Sequence, residues 1–319
     1  MYWQNLNTPV DAAGKERIFV VEKGETAEQV ALNLKKDNLI RSAFYFKYYI
    51  KAGELNIKAG EYSLSPALTA KEIIKLLTAG DALSREKSIT IIEGWNIKDI
   101  GAYLEKNKVI SAAGFINAVE KPLGAWKFNF SRPDFLSDAP KEADLEGYLF
   151  PDTYRISKEA SAEEIVNKLL VNFDKKLTPA MRAEIKRQKK TIYEIITMAS
   201  VIEKEVRSTE DMKIVSGIFW DRIKNGVALN SCATLAYILG VNKAQYSLED
   251  TKIDSPYNTY KYRGLPPGPI ANPGLNAITA AVYPKFTDYN YFLSDPATGK
   301  TIYSESLEEH NANKYKYLK

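Results

Sequence analysis

The stretch TIYEIITMASVIEKEVRS, residues 191–208, has the apolar spacing of a single helix, and the fold of the second half of the chain depends on it. At about 100° per residue, its aliphatic side chains gather into one arc. These are Ile192, Ile195, Ile196, Ala199, Ile202 and Val206. Glu203 falls inside this arc, whereas Glu194 and Glu205 fall on the opposite side, which we expect to face solvent.

The position of Glu203 has two interpretations. A carboxylate in an apolar wall is costly unless it is paired or protonated. In a structural role it would either pair with an Arg or Lys from another element or lie at the rim of the apolar arc, and structural ion pairs also perturb carboxylates. Without that partner, burial would raise the pKa of Glu203 toward the range of a general acid. The helix alone leaves both interpretations open.

Composition sets the class of protein. The 319 residues, 45% hydrophobic and 26% charged, are typical of a globular chain with one large or two modest domains. The net charge of +4 is spread along the chain, so nothing indicates a nucleic-acid partner. One cysteine and one histidine exclude an internal disulfide and a histidine-based zinc site, and we expect no metal or cofactor. We expect Cys232 to be a buried small residue and His310 to cap or orient the last helix.

The order of elements predicts an α+β protein. Residues 1–16 read as a polar tail, and residues 17–82 as a small α/β subdomain whose third helix ends at Gly80. Residues 86–319 read as a larger domain of helices and short strands, including a hairpin over residues 289–306. We find neither a signal-peptide pattern nor a hydrophobic run near the roughly 20 residues of a membrane span.

Three stretches carry a resemblance to a known family. They are LEGYLFPDTY (145–154), ASVIEKE (199–205) and YNTYKYRGLPPGPIANPG (257–274). Their order and spacing resemble the endolytic murein transglycosylases of the YceG-like family. The resemblance covers about residues 88–319, which would be the catalytic domain. Residues 17–82 resemble the LysM-like subdomain that precedes it in that family.

The resemblance implies an activity and one catalytic residue. The family cleaves the bond between N-acetylmuramic acid and N-acetylglucosamine in peptidoglycan strands and leaves a 1,6-anhydro end. Its catalytic glutamate corresponds to Glu203, which would act as acid and then as base. The resemblance also implies a site of action outside the cytoplasmic membrane, peptidoglycan synthases as partners, and an upstream membrane anchor that we do not find in this chain.

Eight further residues of the family stretches are candidates for substrate binding. They are Glu146, Tyr148, Asp152, Tyr154, Tyr257, Asn258, Tyr260 and Asn272. Acids could line the cleft, tyrosines could stack on sugar rings, and Asn258 and Asn272 could make polar contacts to substrate. The alternative is a tightly hydrogen-bonded turn with Asp152 as a cap and the tyrosines packed.

Two other functions remain open. One is a two-carboxylate hydrolase with Glu203 as acid and Asp152 or Glu146 as base. The other is a non-catalytic peptidoglycan-binding or scaffold protein, in which replacing Glu203 would leave function intact.

Overall fold

A computed structural model describes residues 2–79, 86–243 and 246–318. The chain divides into two compact units, Met1–Lys87 and Ser88–Lys319. Gly80, the predicted end of the third helix of the small subdomain, lies outside the described residues, as does residue 82, where that subdomain was predicted to end. No helix in the described ranges combines the length and the apolar character needed to cross a membrane.

The first unit is a two-stranded sheet with helices packed on it. Its elements are α1 (Tyr2–Asn7), β1 (Arg17–Val21), α2 (Ala27–Lys36), α3 (Ala43–Ala52), β2 (Gly60–Leu64) and α4 (Ala70–Ala79). β1 and β2 are antiparallel, with Arg17 opposite Leu64. Thr26 begins α2 through a reciprocal capping box with Gln29, a role that threonine favours at the start of a helix.

The predicted N-terminal tail is wrong as a separate segment. Residues 2–7 form α1, and Leu6 is buried with 1% of its surface exposed. The N–H of Asp11 donates to the carbonyl of Pro66, and the guanidinium of Arg41 donates to the carbonyl of Pro9. This stretch is rich in polar residues, so the sequence predicted a tail. A single leucine among polar residues gives no sign that it will be buried.

The second unit combines helices with short paired strands, which confirms the α+β class. Its elements are β3 (Glu86–Thr90), α5 (Ile97–Lys106), α6 (Ala112–Val119), β4 (Thr153–Ser157), α7 (Ala162–Lys176), α8 (Pro179–Arg187), α9 (Ile192–Glu205), α10 (Thr209–Lys224), α11 (Cys232–Leu239), α12 (Leu275–Val282), β5 (Tyr291–Ser294), β6 (Thr301–Ser304) and α13 (Leu307–Tyr317). β3 pairs with β4, and β5 pairs with β6 as the predicted antiparallel hairpin.

The helix α9 lies at the centre of this unit. Thr191 and Glu194 form the capping box that starts it, and Glu194 is exposed as predicted. All eight residues from Ile195 to Ile202 are buried, because α8, α10, α11 and α12 all contact α9. The single apolar arc was therefore too narrow a prediction. The polar side chains of the opposite face are buried with hydrogen bonds, as Ser200 illustrates by donating to the carbonyl of Thr197 and accepting the N–H of Ile270.

A close approach at Gly147 brings two of the family stretches against α9. Gly147 has a φ of +89°, which favours glycine. A Cβ atom there would lie 2.6 Å from Cβ of Pro269 and 2.7 Å from Cγ2 of Ile196. The turn therefore packs directly on the Pro-rich loop and on the helix, with no room for a side chain.

Candidate active site

Glu203 lies near the C-terminal end of α9 and is partly buried. Its Oε2 accepts a hydrogen bond of 2.9 Å from the N–H of Gly274, the residue that precedes α12. Within the described residues, no arginine or lysine lies within ion-pair distance of Glu203. The structural ion pair that the sequence left open is therefore not how this carboxyl group is held.

The surroundings of Glu203 favour its protonated form. Burial has the largest effect and raises the pKa of Glu203, and the nearby negative charge of Glu93 raises this pKa further. The hydrogen bond from Gly274 and the charge of Lys204 act in the opposite direction. Burial outweighs them, so the net shift of the pKa is upward, as a general acid requires.

The loop between β3 and α5 closes against the end of α9. Gly94 has a φ of +77°, and a Cβ atom there would lie 3.4 Å from Cδ of Lys204 and 3.5 Å from Cγ of Glu203. The Lys204 ammonium donates to the carbonyl of Gly94 over 3.2 Å. This loop also places the side chain of Glu93 over Gly274, where an added Cβ atom would lie 1.9 Å from Glu93 Oε1.

Sequence reasoning missed Glu93 as a site residue. The sequence SITIIEGW, residues 88–95, predicts a strand through Trp95, but β3 ends at Thr90 and Glu93 lies in the turn that follows. An acid directly before a glycine at the end of a strand was the available signal. It is weak, because such pairs occur in many ordinary turns.

Asn272 holds three segments together from a fully buried position. Its Nδ2 donates to the carbonyl of Trp95 and to Oε1 of Glu146, at 2.9 and 2.8 Å, and its Oδ1 accepts the N–H of Leu149 at 2.8 Å. Its backbone also bonds to Trp95 and to Gly94. Both side-chain donors are thus used inside the protein. Asn272 lies two residues before Gly274 and fixes the loop that presents the Gly274 N–H to Glu203.

Glu146 belongs to the same network. It is 6% exposed, and its Oε2 accepts the N–H of Ile97 at 3.0 Å, at the start of α5. Burial raises its pKa to about 8, with a smaller contribution from the charges of Asp144 and Asp99. Glu146 therefore joins the β3–α5 loop to the Asn272 loop and does not line an open cleft.

The other candidates of the first stretch lie in packed or capped positions. Tyr148 is buried between Phe135 and Phe173, and its hydroxyl has no hydrogen-bond partner among the described residues. Asp152 accepts a hydrogen bond from the amide of Asn172 and the N–H of Thr153, and Lys176 lies 3.5 Å away. These contacts, led by that of Asn172, lower the pKa of Asp152.

Tyr154 is also held inside the protein. Its hydroxyl donates to the carbonyl of Phe150 at 2.6 Å and accepts from the amide of Asn172 at 2.9 Å. The arrangement of Tyr148, Asp152 and Tyr154 matches the tightly hydrogen-bonded turn that was the alternative to a binding role.

The candidates of the third stretch divide into a buried pair and a partly exposed pair. Asn258 is fully buried and donates to the carbonyls of Thr251 and Ile253, while its Oδ1 accepts the N–H of Tyr260. Its side chain stabilises the loop. Tyr260, which is partly buried, lies with its hydroxyl 3.1 Å from Sγ of Cys232.

Tyr257 is the candidate that lies beside an open pocket. Its ring centroid is 5.0 Å from that of Tyr237 on α11, and both rings are partly buried. Tyr237 lines a polar pocket beside the end of α9. The lining also includes Gly94, Asn96, Asp99, Lys204 and Ile270. This pocket adjoins Glu203 through its two neighbours Lys204 and Gly94.

Two predictions about the surroundings of α9 are wrong. Glu205 does not face solvent but accepts hydrogen bonds from the hydroxyl of Ser231 and the N–H of Ala233, at the start of α11. Burial raises the pKa of Glu205 as well. Cys232, in turn, is exposed and not buried. Both outcomes follow from the docking of α11 against α9, a long-range contact that the helical pattern does not contain.

His310 lies in α13 and packs on the hairpin. Its ring stacks on Tyr291 with centroids 5.1 Å apart, and burial lowers its pKa. Its Nδ1 is buried without a partner among the described residues. His310 thus joins α13 to β5 through the Tyr291 ring, a contact that can orient the helix.

Comparison with known proteins identifies the family. The sequence profile of the YceG-like family matches residues 19–316. The chain belongs to the YceG-like family. This confirms the resemblance that the three stretches carry, and it covers both units of this YceG-like protein.

The relatives of this YceG-like protein include two curated bacterial proteins and one solved structure. A Bacillus subtilis protein named endolytic murein transglycosylase is 33% identical over all of this chain and 89% of its own length. A Streptococcus pneumoniae protein of the same name is 30% identical over 96% of this chain, which spans 59% of that relative. The crystal structure of a YceG-like protein from Listeria monocytogenes is 32% identical, with a TM-score of 0.61 over 94% of this chain and 100% of that one.

Proposed function

We propose that this YceG-like protein is a lytic transglycosylase that cuts within peptidoglycan strands, between N-acetylmuramic acid and N-acetylglucosamine. The observation that carries the proposal is Glu203, whose pKa is raised by burial and whose carboxyl group is held by the N–H of Gly274. The names of the relatives from Bacillus subtilis and Streptococcus pneumoniae support the same activity.

The reaction needs one residue that acts twice. Protonated Glu203 gives its proton to the glycosidic oxygen as the bond from that oxygen to C1 of muramic acid breaks. N-acetylglucosamine leaves with a free hydroxyl group, and positive charge develops on C1. The C6 hydroxyl of the same muramic acid then attacks C1, and the Glu203 carboxylate accepts its proton. The product carries a 1,6-anhydro ring, and Glu203 is protonated again for the next turnover.

The single-residue mechanism is supported by where the two acids that the sequence offered as the base of a hydrolase, Glu146 and Asp152, lie. A hydrolase requires a second carboxylate that activates water. Glu146 is bonded to Ile97 and Asn272 in the interior, and Asp152 is committed to Asn172 and Lys176. Neither is free to serve as the base. In a lytic reaction the nucleophile is part of the substrate, so its proximity to C1 is built in.

The remaining candidates receive two roles in this proposal. Asn272 and Glu146 position the Gly274 N–H and the β3–α5 loop through their buried hydrogen bonds. Tyr257, with Tyr237 beside it, offers aromatic surface to a sugar ring next to the pocket.

Three finer expectations rest on the family alone. They are the LysM-like character of residues 17–82, action outside the cytoplasm through a membrane anchor, and cooperation with the synthases of nascent strands. Each remains part of the proposal.

The test is digestion of purified peptidoglycan, followed by mass analysis of the chain ends. We expect anhydro ends from the unsubstituted protein and a loss of about a hundredfold or more for Glu203→Gln, because the general acid is removed. Glu205→Gln is the matched control: it lies on the same helix, and burial raises its pKa too, but its contacts are with Ser231 and Ala233. It should retain most of the activity.

Three outcomes would count against the proposal. Reducing ends in place of anhydro ends would identify a hydrolase. Equal anhydro product from the unsubstituted protein and from folded Glu203→Gln would remove Glu203 from its role. No cleavage by the unsubstituted protein, together with retention on peptidoglycan, would favour the scaffold function.

A further inference from the structure

We propose that Glu93 is a positioning residue for the reaction: its negative charge, held over Gly274, keeps the proton on Glu203 until the leaving oxygen accepts it. This inference rests on the function proposed above. It concerns an acid that lies outside the three stretches by which the family was recognised.

The geometry places both carboxyl groups on the same glycine. Glu203 Oε2 accepts the Gly274 N–H at 2.9 Å, while Oε1 of Glu93 occupies the space beside the Gly274 Cα atom. Glycine is the residue that permits this, since a Cβ atom there would lie 1.9 Å from Oε1 and 2.2 Å from Cδ of Glu93. Gly274 itself has a φ of −76°, which any residue adopts. A glycine therefore leaves space for the Glu93 side chain and is not needed for the backbone conformation.

The side chain of Glu93 makes no hydrogen bond or ion pair with the protein within the described ranges, and it is exposed. A surface acid with no structural partner is ordinary by itself. This one differs because the backbone that follows it is fixed by two hydrogen bonds. The N–H of Gly94 donates to the carbonyl of Asn272, and Glu146 binds the start of α5 through Ile97. The Asn272 network thus fixes the backbone next to Glu93, and the side chain of Glu93 reaches Gly274 from there.

Three elements face Glu203 with charged or polar groups. The β3–α5 loop contributes Glu93, α9 contributes Lys204, and the residue preceding α12 contributes the Gly274 N–H. The last two stabilise the ionised form of Glu203, and Glu93 opposes them by like-charge repulsion. Without Glu93, only burial would oppose the Gly274 N–H and Lys204, so the pKa of Glu203 would be lower.

The experiment measures the rate of anhydro-end formation on soluble, uncrosslinked glycan strands as a function of pH. The alkaline limb of this profile reports the loss of the proton from Glu203. For Glu93→Gln we expect this limb to move to lower pH. At a given pH on the alkaline side, the rate of Glu93→Gln should be roughly three- to tenfold below that of the unsubstituted protein. This is the size expected for removing one nearby charge at a partly exposed site.

A second variant tests the geometry with the charge retained. Gly274→Ala keeps the N–H that binds Glu203, but its methyl group forces the flexible end of Glu93 away. We expect the same direction of shift as for Glu93→Gln. Glu308→Gln, which removes an exposed acid of α13 outside the elements of the site, should leave the profile unchanged.

The outcomes separate this inference from the proposed function. A superimposable alkaline limb for folded Glu93→Gln would overturn the inference, as would a uniform loss of rate at every pH with the limb in place. Neither result affects the role of Glu203, because Glu203→Gln tests that role independently. Full activity of Glu203→Gln would instead remove the proposed function, whatever Glu93→Gln does.

Discussion

Buried Glu146 should make the second unit less stable as the pH rises. Burial raises the pKa of this carboxyl group to about 8, from an ordinary value of 4.5. Between these values the folded protein holds a proton that the unfolded chain has lost. Because the folded state binds more protons in this window, the free energy of unfolding falls as the pH increases from about 4.5 to about 8.

The size of the effect follows from the two pKa values. One pKa unit corresponds to about 1.4 kcal/mol, so the shift of Glu146 amounts to at most about 5 kcal/mol. Below pH 4.5 both states are protonated and the cost is absent. Above about pH 8 both states are ionised, and the full cost of a charged carboxylate between Ile97 and Asn272 is present.

The assay is urea unfolding at several pH values between 5 and 9, followed by tryptophan fluorescence. Three of the four tryptophans, Trp95, Trp126 and Trp220, lie in the second unit, so the signal reports mainly on it. Burial also raises the pKa of Glu203, so the comparison is made in a Glu203→Gln background, with and without Glu146→Gln. We expect the difference in unfolding free energy between the two proteins to change by several kcal/mol across this range, within the limit of about 5 kcal/mol. Parallel curves would refute the assignment of a raised pKa to Glu146.

Three further substitutions test the packing around the site, each by urea unfolding at neutral pH. Asn272→Ala removes three side-chain hydrogen bonds and leaves the buried N–H of Leu149 unpaired, so we expect a loss of roughly 3–6 kcal/mol, and a loss below 1 kcal/mol would contradict the network. Gly217→Ala, in α10, places a methyl group 2.2 Å from the backbone carbonyl oxygen of Lys285 and should destabilise the unit by about 1–3 kcal/mol. A neutral result would mean that α10 and the segment around Lys285 move apart easily. Tyr148→Phe removes a buried hydroxyl that has no partner among the described residues, and it should be neutral or stabilise by up to about 1–2 kcal/mol. A clear loss of stability there would reveal a hydrogen bond to this hydroxyl.

Several features of the site were predictable because their causes are local. The start of α9 follows from Thr191 and Glu194, which cap its first turn. Glu203 was selected by its place inside the apolar arc of the helical wheel. The structure brings it to a partly buried position without an ion pair among the described residues. The hairpin of β5 and β6 was likewise predicted from its alternating pattern and its turn.

Other features depended on contacts between distant parts of the chain. Glu205 and Cys232 were misplaced because their exposure depends on how α11 docks on α9. Asn272 was expected to contact substrate, yet its hydrogen bonds reach residues 123 and 177 positions away in the chain. A helical wheel assigns one apolar face, and it cannot show that α9 is covered on every side.

The amino-acid sequence by itself determined helix α9 and the choice of Glu203, since periodicity and capping act over a few neighbouring residues. It also carried the motifs by which the family was recognised. Only the tertiary structure decided what surrounds that carboxyl group. Glu203 and Gly274 are 71 residues apart in the chain, and Asn272 is 177 residues from Trp95, which it binds. The effect of these groups and of the Glu93 charge on the Glu203 proton depends on distances of a few ångström. Folding sets those distances, because electrostatic and hydrogen-bond energies depend on separation in space and not on position along the chain.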